Sequence, residues 1–102
     1  MNVLFVCGQG KNRSPTAAAL FREEHATRSC GLYCERPLDE KLLSWANLVV
    51  VMEDAHRQEI AQRFPTLYLS KRILSLDVPD IYRRDQPELV ALLREKMRRL
   101  EP

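Results

Sequence analysis

The sequence lacks several features that mark whole classes of protein. Its apolar runs are all far shorter than the roughly 20 residues that a membrane-spanning helix needs. The first ten residues have neither a basic lead-in nor a small-residue cleavage site, so we expect no secretory signal. The net charge is only +2, whereas a dedicated nucleic-acid-binding domain is normally much more basic. These absences favour a globular protein without membrane or nucleic-acid partners.

Cysteine is also scarce, and repeats, low-complexity stretches and linkers are absent. The three cysteines are Cys7, Cys30 and Cys34. An odd number without an export signal indicates a reducing compartment, with at least one free thiol, and so predicts a cytoplasmic protein. The length of 102 residues fits a single domain spanning residues 1–102.

Predicted strands and helices alternate along the chain. Apolar runs predict strands at residues 2–6, 28–32, 48–52 and 73–76. Helices are predicted from residue 14, over 39–46, over 54–63 and from 87 onward, with Pro65 ending the third. This order is typical of an α/β protein, a three-layer α/β/α sandwich around a four-stranded parallel sheet with flavodoxin-like topology. His25 and His56 are expected on exposed helix surfaces.

Ligands of such sheets bind beyond the carboxyl ends of the strands. The turn after the first strand, Cys7-Gly8-Gln9-Gly10-Lys11-Asn12-Arg13-Ser14, opens there, as does the loop after the fourth strand. A turn of this length leading into a helix can direct its backbone N–H groups, together with the positive end of the helix dipole, at one anion. We therefore predict an anion-binding loop.

The side chains of this turn suit phosphate chemistry. Gly8 and Gly10 permit unusual backbone dihedrals, and the planar guanidinium of Arg13 can bind two phosphate oxygens. The positive surroundings favour the thiolate of Cys7, which would face the bound phosphorus. A cysteine that ends a buried strand is by itself an ordinary small core residue, but its placement between strand, glycine turn and helix favours the functional interpretation. A Walker-type nucleotide loop is excluded, because Asn12 follows Gly10-Lys11 where Ser or Thr is needed.

The segment from Cys7 to Pro15 resembles the active-site loop of the low-molecular-weight protein tyrosine phosphatases, which reads Cys-x5-Arg-Ser-Pro after the first strand. Residues 45–53 resemble the family's third strand with its following turn, and residues 78–82 resemble its late Asp-Pro-Tyr loop. The similarity covers most of the chain, which looks like a compact branch of the family. It implies the low-molecular-weight phosphatase topology, with no metal and no cofactor.

The resemblance also implies roles for individual residues. Cys7 would attack phosphorus and carry a phosphocysteine. Asp80 would protonate the leaving group and then activate water, with Asp77 as the competing candidate. Ser14 would donate to the sulfur or merely cap the helix, and Tyr82 would line the entrance or be a half-buried loop aromatic. The phosphate-binding residues would be Gly8, Gln9, Gly10, Lys11, Asn12, Arg13 and Ser14.

The chain departs from the family pattern at three positions. Gly10 stands where the family usually has Asn, and Asn12 stands where many members have a second cysteine. Ile81 replaces the proline of the Asp-Pro-Tyr loop. Placement of the acid is therefore the part of the site that the resemblance specifies least.

The function predicted from these residues is hydrolysis of phosphate monoesters. The expected substrate is phosphotyrosine in a protein, or a small aryl phosphate, with phosphate ion as product. Three alternatives stay open: an arsenate reductase that uses Cys30 and Cys34 as a relay, a phosphocysteine carrier of the phosphotransferase IIB type, and a weakly catalytic phosphoprotein-binding module.

Overall fold

The structure is a computed structural model that describes residues 1–100. The elements follow one another in the order β1 (Asn2–Cys7), α1 (Arg13–Leu20), β2 (Ala26–Gly31), α2 (Glu40–Trp45), β3 (Leu48–Val51), α3 (Asp54–Arg63), α4 (Pro65–Ser70), β4 (Arg72–Ser75) and α5 (Pro87–Leu100). No helix within these 100 residues is long and apolar enough to cross a membrane.

The four strands form one parallel sheet in the order β2-β1-β3-β4. β1 and β3 are central and consist almost entirely of buried apolar residues, as expected for strands covered on both faces. The chain runs from β1 outward to β2 and then returns past β1 to β3, so the strand order reverses between β1 and β3. The crevice at this reversal is where open α/β sheets bind ligands. It lies at the carboxyl ends of β1 and β3, next to Cys7 and Val51.

Two hydrophobic cores cover the two faces of the sheet. Successive side chains of a strand point to opposite faces. Val3, Phe5 and Cys7 accordingly pack in one core with α1 and α5. Leu4 and Val6 pack in the other core with α2, α3 and α4. The predicted three-layer α/β/α sandwich with a four-stranded parallel sheet is thus confirmed.

The structure adds one helix to the predicted order and corrects the placement of one histidine. Pro65 ends α3 as expected, but it also begins α4, because a proline at the first helical position needs no N–H donor and its φ is already helical. His25 lies in the turn between α1 and β2, because α1 ends at Leu20, and the residue is half-buried.

The packing of α5 on the sheet gives a stability prediction. Leu93 is fully buried in the core under α5, whereas Leu69 on α4 is 85% exposed. We expect Leu93→Ala to lower the free energy of unfolding by about 2–5 kcal/mol through lost burial and a residual cavity. Leu69→Ala should change it by no more than about 0.5 kcal/mol. Urea denaturation measures both, and equal effects would contradict the assignment of α5 to the core.

Candidate active site

The phosphate loop, defined as residues 7–14, surrounds the sulfur of Cys7 with hydrogen-bond donors. The backbone N–H of Gly10 donates to Cys7 Sγ at 3.2 Å, and Ser14 Oγ lies 3.0 Å from the same sulfur. Ser14 is buried in the first turn of α1, and its Oγ also reaches the carbonyl of Cys30 at 3.2 Å. The residue at the N-cap is Asn12, so the hydroxyl of Ser14 does not cap the helix, and its one proton can be donated to the sulfur or to the carbonyl of Cys30.

The loop packs backbone against backbone on the end of β2. Gly10 has φ +71°, and a Cβ there would lie 2.8 Å from the nitrogen of Gly31. A Cβ on Gly31 would lie 2.6 Å from the carbonyl carbon of Gln9. The N–H groups of Leu32 and Tyr33 donate to the carbonyl of Gly8 at 2.9 and 2.8 Å. Two glycines that face each other therefore let β2 support the loop at a distance that side chains would prevent.

Arg13 is buried, with only 3% of the residue exposed, and its guanidinium is held from one side. Nη1 donates to Glu53 Oε2 at 2.5 Å and to the carbonyl of Val78 at 2.8 Å. A Cβ built on Gly8 would lie 4.0 Å from Nη2, so Nη2 borders the phosphate loop. Within residues 1–100 the Nε and Nη2 edge has no hydrogen-bond partner. This edge is the one that can bind two oxygens of a phosphate.

The structure brings Asp80, and not Asp77, to this arginine. Asp80 Oδ1 lies 3.8 Å from Arg13 Nε, and its side chain is 61% exposed. Asp77 is exposed and adopts φ +56°, a left-handed conformation that Asp tolerates better than most residues. Its neighbour Val78 is buried and donates to the carbonyl of Met52 at 2.7 Å. Asp77 is therefore a turn residue that directs Val78 inward.

The acid loop, defined as residues 77–86, is held at its far end by α1. The N–H of Arg84 donates to Asn12 Oδ1 at 3.1 Å, and the N–H of Asp85 donates to Thr16 Oγ1 at 2.9 Å. Between these fixed ends Ile81 is 74% exposed. Tyr82 is half-buried and packs on the core beneath α1 and α5. The structure thus places Tyr82 as a half-buried loop aromatic that supports the acid loop from below.

His56 was expected on an exposed helix surface, and this prediction is wrong. The residue is only 4% exposed, because the first turn of α3 packs against the phosphate loop. Its Nδ1 accepts the N–H of Glu53 at 3.1 Å, and its Nε2 lies 3.6 Å from Glu53 Oε2. Burial lowers the pKa of His56, and the positive charge of Arg13 lowers it further. The ring of His56 consequently stays neutral to a lower pH than the ring of an exposed histidine does.

Sequence reasoning missed Glu53, His56 and Tyr33 as neighbours of the loop. Glu53 and His56 have the spacing of a capping box, in which an N-cap residue is followed three positions later by a polar side chain. This spacing was the signal in the sequence that could have pointed to the pair. Tyr33 lies beside Gly8, half-exposed, with its hydroxyl 3.4 Å from Glu59 Oε1. Nothing in the local pattern around Tyr33 indicates this position.

Cys30 differs from Cys7 in both placement and chemistry. Cys30 packs against the core on the opposite face of the sheet from Cys7. Burial raises the pKa of Cys30 to about 12, and the negative charge of Cys7 contributes to the rise. Its thiol is therefore protonated at neutral pH and a weak nucleophile. These properties argue against the thiol relay that an arsenate reductase needs.

Comparison with known proteins gives matches only among solved structures, since no protein-family model and no curated protein matches the sequence. A low-molecular-weight protein tyrosine phosphatase from Bacillus subtilis is 26% identical over 98% of this chain and 97% of that one, with a TM-score of 0.72. A YwlE arginine phosphatase variant with a phosphorylated active-site serine is 23% identical over 98% and 95%, with a TM-score of 0.75. Vibrio vulnificus Wzb in complex with benzylphosphonate is 19% identical over 97% and 95%, with a TM-score of 0.79.

The chain therefore has a phosphatase-type α/β/α fold over nearly its whole length. More particularly, it has the fold of the low-molecular-weight protein tyrosine phosphatases, and the resemblance seen in the sequence is confirmed.

The contact between the loop and β2 yields a prediction. Gly31→Ala places a Cβ against backbone atoms that cannot rotate away, so we expect it to lower the free energy of unfolding by about 1–3 kcal/mol. A Cβ on Gly8 meets nothing closer than 3.8 Å, so Gly8→Ala should unfold at nearly the wild-type urea concentration. Equal stability of the two variants would contradict the close packing described above.

Proposed function

We propose that the chain is a phosphatase that hydrolyses phosphate monoesters through a phosphocysteine on Cys7. The observation that carries the proposal is the pairing of the Cys7 sulfur, held by Gly10 N–H and Ser14 Oγ, with an arginine whose side-chain hydrogen bonds within residues 1–100 are all made by Nη1. The N–H of Gly10 donates to the sulfur and the hydroxyl of Ser14 can donate to it, and such hydrogen bonds stabilise negative charge on sulfur. The structural relatives, which include tyrosine and arginine phosphatases, support the same chemistry.

The proposed reaction has two steps. In the first, the thiolate of Cys7 attacks phosphorus, an S–P bond forms, and the P–O bond to the leaving group breaks as Asp80 gives that oxygen a proton. In the second, water attacks phosphorus, Asp80 takes the proton of the water, and the S–P bond breaks. Arg13 and the loop amides bind the equatorial oxygens in both steps. Ser14 and Gly10 stabilise the thiolate before it attacks in the first step and again when it leaves phosphorus in the second.

The proposed substrate is phosphotyrosine in a protein, or a small aryl phosphate. The half-exposed ring of Tyr33 beside Gly8 and the exposed side chain of Ile81 next to Asp80 offer apolar surface close to the loop. An aryl leaving group can bury part of its ring against such surface. Benzylphosphonate, an aromatic phosphonate, binds one structural relative. Because another relative is an arginine phosphatase, the substrate assay should include a phosphoarginine peptide alongside a phosphotyrosine peptide.

The nucleophile is tested by substitution. Cys7→Ser should lower the turnover of p-nitrophenyl phosphate by at least about 10³-fold, because the nucleophile and its partners act as a unit. Cys34→Ser, at a half-buried thiol outside the loop, serves as the matched control and should keep wild-type turnover. Measuring released inorganic phosphate also separates a hydrolase from a phosphocysteine carrier, which would retain the phosphoryl group. Normal phosphate release by Cys7→Ser would end the proposal.

The assignment of the acid is tested by a matched pair. Asp80→Asn removes the proton donor and should lower kcat for phosphotyrosine peptide by about 10²–10⁴-fold. Asp77→Asn should leave kcat nearly unchanged, since Asn also tolerates the left-handed backbone at that position. The loss in Asp80→Asn should shrink with p-nitrophenyl phosphate, whose leaving group needs less protonation. A larger loss in Asp77→Asn would move the acid to that residue.

A further inference from the structure

The carboxylate of Glu53 lies between Arg13 and His56. Its Oε2 accepts from Arg13 Nη1 at 2.5 Å and lies 3.6 Å from His56 Nε2. Glu53 lies two residues after the end of β3 and is the N-cap residue of α3, so its backbone is placed by both elements. This carboxylate is the side-chain partner of Arg13 Nη1 and the carbonyl of Val78 is its backbone partner, so the position of the carboxylate contributes to the orientation of the guanidinium.

His56 contacts Glu53 through both ring nitrogens. Nδ1 accepts the backbone N–H of Glu53 at 3.1 Å. A ring nitrogen accepts a hydrogen bond only when it carries no proton, so in this arrangement the proton of the neutral ring is on Nε2. Nε2 is the atom nearest the Glu53 carboxylate, and it also lies 3.8 Å from the position of a Cβ on Gly8. The ring therefore fills the space between Glu53 and the start of the phosphate loop.

We propose that His56 is a positioning residue for Arg13 that acts through Glu53. The neutral ring fixes the Glu53 backbone and directs its carboxylate to Arg13 Nη1, which leaves Nε and Nη2 for phosphoryl oxygens. The proposal rests on the phosphatase function in so far as the bound group is a phosphoryl group. It adds two residues and a protonation state that the reaction steps above do not contain.

Protonation of His56 would disturb this arrangement in two ways. It removes the acceptor at Nδ1, so the N–H of Glu53 loses its partner. It also places a second positive charge beside the carboxylate that Arg13 requires. The charged groups that face the ring are Arg13 from α1, Glu53 at the start of its own helix and Asp80 from the acid loop, and the neutral phenol ring of Tyr33 borders the same space over Gly8. Burial and Arg13 disfavour the protonated ring, whereas Glu53 and Asp80 favour it.

Two substitutions separate the acceptor of the ring from its titration. In His56→Asn the Oδ1 atom, attached to Cγ like Nδ1, keeps an acceptor for Glu53 N–H but does not titrate. His56→Leu fills much of the space of the ring but has no acceptor, whereas a Gln at this helix position could still accept from the N-cap N–H. We expect His56→Asn to keep kcat/KM close to wild type at neutral pH and to lose less activity in acid. We expect His56→Leu to lower kcat/KM by about tenfold or more, because Arg13 is misplaced.

Binding of inorganic phosphate provides a readout that does not depend on turnover. His56→Leu should weaken phosphate binding at neutral pH, and His56→Asn should not. As pH falls, wild-type affinity should drop relative to His56→Asn in step with protonation of the His56 ring, followed by NMR. These binding results stand even if the chain proves not to hydrolyse phosphate esters, so failure of the proposed function and failure of this inference are distinguishable.

Stability separates positioning from packing. The unfolded chain protonates His56 near its ordinary pKa of 6.5, whereas the folded chain does so at lower pH. The unfolded state therefore binds more protons in this range, and stability falls as pH falls below about 6.5. His56→Asn should reduce this loss of stability.

If both variants are less stable but bind phosphate with wild-type affinity, or if NMR finds the neutral ring protonated on Nδ1, the proposal is wrong. Should His56→Leu fail to fold, the pH dependence of phosphate binding in wild type and His56→Asn decides the question.

Discussion

The buried charge of Arg13 is the constraint on which the rest of the site depends. A guanidinium removed from water is tolerated only when it is paired and hydrogen-bonded. Its partners, Glu53 and Val78, come from the segments that follow β3 and β4, while Arg13 itself begins α1. The charge is therefore stabilised only when the segments that follow β1, β3 and β4 lie next to one another. The same partners occupy Nη1 alone, so satisfying the charge also turns its other edge toward the phosphate loop.

Residues that are contiguous in the sequence could be predicted from their local pattern, and Asp80 from the resemblance to the family. The other residues that the fold brings to the site could not be predicted. The phosphate loop from Cys7 to Ser14 is one uninterrupted segment between a strand and a helix, so its local pattern suffices. The pattern of apolar runs likewise specifies four strands and their parallel pairing. Glu53 and His56 read locally as an ordinary helix start, and only the approach of α3 to the loop makes them part of the site. Glycine is required at position 31 because a Cβ there would clash with the backbone of Gln9. Gln9 lies 22 positions earlier in the chain, so no local sequence pattern indicates this contact.

The departures from the family pattern have structural counterparts. Gly10 takes the left-handed conformation without a side chain, and this is what permits the close approach to Gly31. Asn12, at a position where many relatives have cysteine, accepts the N–H of Arg84 and so holds the acid loop. That hydrogen bond and the one from Asp85 to Thr16 restrict a loop that has Ile81 in place of proline. Tyr82 supports the same loop from the core side. Asp80 is therefore placed by anchors on either side of it.

The central claim is that Cys7 carries the phosphoryl group during turnover. Rapid acid quenching during reaction with p-nitrophenyl phosphate, followed by mass spectrometry of peptides, tests this claim most directly. The account predicts a single phosphorylated peptide containing Cys7, with the group bonded to sulfur and with greater accumulation in Asp80→Asn, where activation of water is impaired. Steady turnover with no phosphoryl group on Cys7, or with the group on another residue, would contradict it.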